Sequence, residues 1–189
     1  MSPSTAENPR RPRTPDFVLT SDELRAVTAF NVACVEQVIG LFEQAHPTDA
    51  RPRAAVNAAQ AFVSGGPRTK EQRVTALAAH RAAKDAEPPA RYAAMAAGDA
   101  AASAYLHPLA DAEQAGHILR GPAYCVLALR HRAVEPLTHA DAVTGVLMHV
   151  TPRVIRVLLR YPPVSHRRRD VAPVMVELDE RLRGTRCHA

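Results

Sequence analysis

The chain predicts an all-α fold, one bundle of about seven helices behind a disordered N-terminal arm. Three observations predict it. No window of five or more residues shows the apolar–polar alternation of a strand rich in β-branched residues. Apolar residues instead recur at helical spacing through one segment after another. Proline and glycine clusters cut those segments at His46-Pro47, Gly65-Gly66-Pro67, Glu87-Pro88-Pro89, His107-Pro108, Glu135-Pro136 and Tyr161-Pro162-Pro163.

Residues 1–16 hold four prolines and three arginines without apolar periodicity and are expected to be disordered. Thr20 and Glu23 have the spacing of a capping box, and Leu24, Val27, Cys34, Val38, Leu41 and Ala45 follow near a 3.6 period, which predicts one long helix over 21–45. A second helix is predicted from about 49–52 to Ser64, and a third from the Thr69/Gln72 capping box to about Ala86. The alanine-rich run from Ala90 to Leu106 is the fourth. A fifth starts near Asp111 and meets Gly121-Pro122, which should kink or split it before it ends near His131. Helices over about 139–159, bent at Pro152, and 170–183 complete the bundle. The expected division is an arm over 1–18, a helical domain over 19–135 and an Arg-rich helical extension over 136–189.

Hydrophobic residues make up 47% of the chain, but aromatics only 4%, and tryptophan is absent. Alanine, leucine and valine must therefore fill the core, which brings helix backbones close together. The net charge of +5 is uneven: residues 153–189 hold nine arginines against four acids, whereas 21–152 hold twelve bases against thirteen acids. Cys34, Cys125 and Cys187 are an odd number without C-x-x-C spacing, and no apolar leader or membrane-length run is present. A soluble chain in a reduced, cytoplasmic setting is expected.

Signatures of phosphate loops, dinucleotide folds, zinc proteases, nucleophile elbows and calcium loops are all missing. No catalytic residue, cofactor or metal is expected. His107, Asp111 and His117 are the nearest thing to a ligand cluster, but Pro108 interrupts their helical spacing, and polar or capping roles suit them better. Asp99 shares a helical face with Met95, Ala102 and Leu106, so it needs a partner; Arg91, His80 and His117 are the candidates. Its reading is an interhelical tie, with a binding role as the alternative. Arg153, Arg156 and Arg160 lie at helical spacing and, with Arg167, Arg168 and Arg169, could face phosphates or an acidic partner; an ordinary solvated face is the plainer reading.

Three blocks carry a resemblance. Asp49-Ala-Arg-Pro-Arg53 opens the second helix, Ala78-Ala79-His80 lies in the third, and Ala93 to Asp99 is followed by Gly116-His-Ile-Leu-Arg-Gly-Pro-Ala-Tyr124. Over about residues 22–132 the chain resembles an alanine-rich, all-helical family of immunity proteins of bacterial polymorphic-toxin systems. Members carry a histidine where Tyr105 stands here and, almost directly after it, a second one matching His117; this chain inserts about ten residues, His107 to Gly116, between the two positions. The resemblance implies a non-enzymatic body that occludes a cognate toxin through polar residues of the third to fifth helices: His80, Arg91, Asp99, Tyr105, His107 and His117. A basic tail would suit an acidic target surface. Two other readings stand beside it: a nucleic-acid module using the C-terminal arginines, and a small-molecule protein or enzyme around Asp99, Tyr105 and His117. No membrane partner is expected.

Overall fold

A computed structural model describes residues 16–132, 134–164 and 170–185. Among them are nine α-helices and no strand: α1 Ser21–Glu36, α2 Ile39–Ala45, α3 Arg51–Val63, α4 Lys70–Ala82, α5 Ala90–Ala102, α6 Ala112–His131, α7 His139–Leu147, α8 Pro152–Leu158 and α9 Ala172–Gly184. Short turns of 3-10 helix extend α4 over Ala83–Asp85 and α5 over Ser103–Tyr105. The arm expected to be disordered lies, up to residue 15, outside the described residues, as do Cys187 and Arg167, Arg168 and Arg169.

Both capping boxes form. Glu23 N–H donates to Thr20 Oγ1 at 3.2 Å while Thr20 N–H donates to Glu23 Oε2 at 2.9 Å. Thr69 N–H donates to Gln72 Oε1 at 2.8 Å, and Gln72 Nε2 goes on to the Ala58 carbonyl of α3 at 3.2 Å. The Arg51-Pro52-Arg53 block works as helix-start hardware. Pro52 fills the first turn, Arg51 pairs with Asp49 at 2.6 Å, and Arg53 holds Glu36 at 2.9 Å and Glu43 at 2.6 Å.

Two predicted helices each divide in two. The helix expected over 21–45 breaks at Gln37-Val38, and α1 and α2 meet at a 47° bend. The bend keeps Val38, Ile39 and Phe42 buried, so the apolar periodicity continues across it and conceals it. Arg53, paired with an acid on either side, holds the corner. The helix expected over 139–159 ends at Leu147, and Thr151 with Pro152 starts α8 afresh, the Thr151 hydroxyl accepting from Val154 N–H at 3.4 Å. Proline at a first turn begins a helix instead of bending one.

Gly121-Pro122 does not split α6, which runs through twenty residues. Pro122 has no N–H for the Ile118 carbonyl one turn back. Asn31 of α1, fully buried, supplies the missing donor: its Nδ2 reaches Ile118 O at 3.2 Å and Val27 O at 3.1 Å. Gly121 leaves the space that the Asn31 amide occupies, since a Cβ there would collide with Asn31 Oδ1.

The helix α5 is the axis, in contact with α1, α2, α3, α4 and α6. Ala93, Ala94, Ala96, Ala97, Ala100 and Ala101 are all fully buried, so small apolar faces meet the neighbouring helices on most sides, while Arg91, Tyr92 and Met95 stay partly exposed. The same continuous core takes in Val143, Val157, Leu158, Leu178 and Leu182 of the last three helices. Phe17 meets Tyr161 edge-on at 5.1 Å and Asp16 N–H donates to Pro108 O at 2.8 Å, which ties the N-terminal segment across the fold. No single described helix is long and apolar enough to cross a membrane.

Candidate functional site

Asp99 stands in the middle of α5, only 2% exposed. A buried carboxylate costs several kcal/mol unless it is matched by charge or hydrogen bonds. Two helices reach in to match it. Arg120 of α6 donates from Nη1 to Asp99 Oδ1 at 3.4 Å, and His80 of α4 places Nε2 3.8 Å from the same oxygen. Each of these side chains sits over a glycine. A Cβ at Gly98 would collide with the His80 ring and stand 3.0 Å from Ala76 O; a Cβ at Gly116 would collide with the Arg120 guanidinium. A glycine inside a helix costs about 1 kcal/mol relative to alanine. The fold accepts that loss twice to seat a guanidinium and an imidazole beside one acid.

Around this triad lies an open groove of about 530 Å³, lined by His80, Ala83, Lys84, Arg91, Met95, Asp99 and Arg120. Arg91 is held by its own helix start, with Nε donating to Ala86 O at 3.1 Å and Nη2 to Glu87 at 3.4 Å. His80 Nε2 is buried and makes no hydrogen bond. Arg120 also lines a second, smaller cavity of about 280 Å³, with Glu113, Gln114, His117, Val164, Val171 and Met175. There burial pushes the His117 imidazole down to about 4, and the charges of Arg120 and His107 push the same way, so His117 is neutral at pH 7.

The residues singled out in the sequence therefore separate. His80, Arg91 and Asp99 share the groove, and Arg120 joins them. His117 lies on the far side of Arg120. Tyr105 is elsewhere: its hydroxyl donates to Thr69 O at 2.5 Å, and Arg68 and Arg73 lie over its ring at 5.3 and 4.6 Å. His107 is exposed, its N–H donating to Gln114 at 2.9 Å and its carbonyl accepting from the Tyr161 hydroxyl at 2.9 Å. Asp99 lines the groove, His117 lines the second cavity, and Tyr105 borders neither. Arg153 and Arg156 are exposed on α8, whereas Arg160 turns inward to pair with Glu23, donates to Val18 O at 2.9 Å and covers Phe17.

Arg120 and Asn31 were not singled out by the sequence, although Gly116 stands one turn before Arg120 and Gly121-Pro122 announces a carbonyl in need of a donor. Chemically the groove offers guanidinium, ammonium and imidazole groups around one matched acid, a set suited to holding an anionic group. The two described cysteines are core residues. Burial raises the Cys34 and Cys125 thiols well above their ordinary range, so neither is a nucleophile. No three His, Cys, Asp or Glu residues among those described come together as a metal site.

A family model described as "Imm-5 like putative immunity protein" matches residues 18–144, from just before α1 into α7. No curated protein and no solved structure matches the chain.

Proposed function

The chain belongs to this Imm-5 like immunity protein family, and from that premise we propose that it is a non-enzymatic binding protein that neutralises a cognate toxin by covering its active site. The family match over residues 18–144 is the observation that carries the reading. Occlusion requires a rigid body and a complementary surface of roughly 1,200–2,000 Å² with a few anchoring residues, and no chemistry of its own. An alanine axis sheathed by five helices supplies rigidity. The groove at His80, Asp99 and Arg120 supplies a concave, charged feature for an anchor from the partner. The complex would form in the cytoplasm of the toxin-producing bacterium.

Co-expression with toxin domains encoded beside the gene tests the reading. Growth is expected to be restored by the chain, together with a one-to-one complex on gel filtration. Unrelieved toxicity with every such domain would remove it. The nucleic-acid reading draws no comparable support, because Arg160, one of the three arginines of its stripe, is engaged by Glu23.

A further inference from the structure

We propose that the outer face of α4 is the docking surface for the partner, and that the partner presents an acidic rim around an apolar spot. The inference rests on the binding reading above and extends it from the groove, which His80 and Lys84 border, to the wider surface beside it and the chemistry of the partner.

Residues 68–84 hold Arg68, Lys70, Arg73, Arg81 and Lys84 against a single acid, Glu71, and all six are exposed. Lys70 and Lys84 are the only lysines of the whole chain, and they stand at the two ends of this one helix. The near-neutral charge of the chain's middle region had hidden the concentration. Between the cations lie Val74 and Leu77, 59% and 52% exposed and one turn apart. An apolar centre within a charged rim is the anatomy of a protein interface.

The face is also held stiff. The inner side of α4 buries Gln72, Ala76, Ala79 and Ala82. Arg68 and Arg73 rest on the Tyr105 ring, whose hydroxyl is fixed to Thr69 O. Guanidinium groups already held in place lose less freedom on binding, which favours them as anchors. Tyr105 thus acts as the base on which two partner-facing arginines are set.

Charge decides the occupant. A second copy of this chain, related by a two-fold axis, would set these cations against themselves. Nucleic acid would leave Val74 and Leu77 buried against phosphates, and the face offers no exposed aromatic for a base to stack on. An acidic protein surface satisfies both the apolar pair and the rim. At about 1.5 Å per residue, α4 spans about 20 Å, within the width of a standard interface patch.

The test uses the full chain and the toxin domain that it neutralises in co-expression. Two double variants on α4, V74D with L77D and R73E with R81E, are compared with R153E and R156E on α8. Circular dichroism and thermal melting check that each is folded. The α4 pairs are expected to weaken binding about 100-fold or more, and the α8 pair less than about threefold. Acylation of Lys70 and Lys84 by acetic anhydride, read by mass spectrometry, is expected to fall in the complex. Wild-type affinity in the α4 variants, or undiminished lysine reactivity, overturns the proposal and leaves the immunity reading intact. A wild-type chain that neutralises no toxin overturns both. A band shift with a short DNA duplex or RNA that R73E with R81E abolishes and V74D with L77D does not would make the face a phosphate-binding surface and overturn the proposal.

Discussion

The imidazole of His80 occupies the place that a side chain at position 98 would fill, so that α4 reaches Asp99 over the bare backbone of Gly98. Gly98→Ala brings a gain in helix propensity of about 1 kcal/mol and an overpacking loss of about 1–3 kcal/mol, with a net loss expected. In a His80→Ala background the same change should lose most of its penalty, leaving only the tight contact with Ala76 O. Urea unfolding of the four proteins of this double-mutant cycle checks it, and additivity of the two changes would show that the ring does not sit on Gly98.

Asp99→Leu removes the acid that two helices converge on and leaves Arg120 without it. Because the Arg120 side chain is 25% exposed it can turn outward, so the expected cost is about 1–3 kcal/mol, below that of a fully buried broken pair. Adding Arg120→Met should recover part of it. Chemical denaturation measures both variants.

Asn31→Ala deprives the Ile118 carbonyl of its donor and should cost about 2–4 kcal/mol. In a Pro122→Ala background, where the helix regains its own N–H, the same change should cost measurably less. Equal costs in the two backgrounds would show that Asn31 does not stand in for the N–H that Pro122 lacks.

Acid acts on two groups over different ranges. The folded-state value of His117 is depressed to about 4 from 6.5, so the unfolded chain takes up a proton first and stability falls as pH drops from about 6.5 to about 4. His117→Leu should flatten that slope, which is worth on the order of 2 kcal/mol. Unfolding midpoints at pH 7.5 and 5 provide the comparison.

Glu23 is held at about 2, chiefly by the hydrogen bond from Arg160, so its contribution is present above about 4.5 and fades as pH falls toward 2. After screening by solvent its worth is about 1 kcal/mol. Glu23→Gln should lower stability at pH 7 and approach the wild type as pH falls to about 2. A constant difference across that range would separate the effect from charge.

Local signals in the sequence translated directly into structure, because each depends on residues a few positions apart. Thr20 with Glu23 and Thr69 with Gln72 form the caps their spacing predicts, and the proline breaks fall between helices. The bend at Gln37-Val38 escaped because buried residues continue through it, and the continuity of α6 escaped because its donor, Asn31, is distant in sequence. Asp99 followed the same logic. Its need for a partner was readable from its helical face, and His80 was among the candidates, but Arg120 became its neighbour only through the way α6 lies on α5. The cationic face of α4 was hidden for a different reason: net charge summed along a segment cancels what a helix sorts onto one side.

Where α5 packs against its neighbours it has no surface on which to vary. Side chains larger than methyl at Ala93, Ala96, Ala97 or Ala100 would have to part the helices around them. Substitution is tolerated instead on the surrounding sheath, where a helix such as α4 can exchange its outward residues while its inward ones stay fixed. On the proposed reading, partner choice and folding are written on opposite sides of the same helix, so a new specificity can arise without a new core.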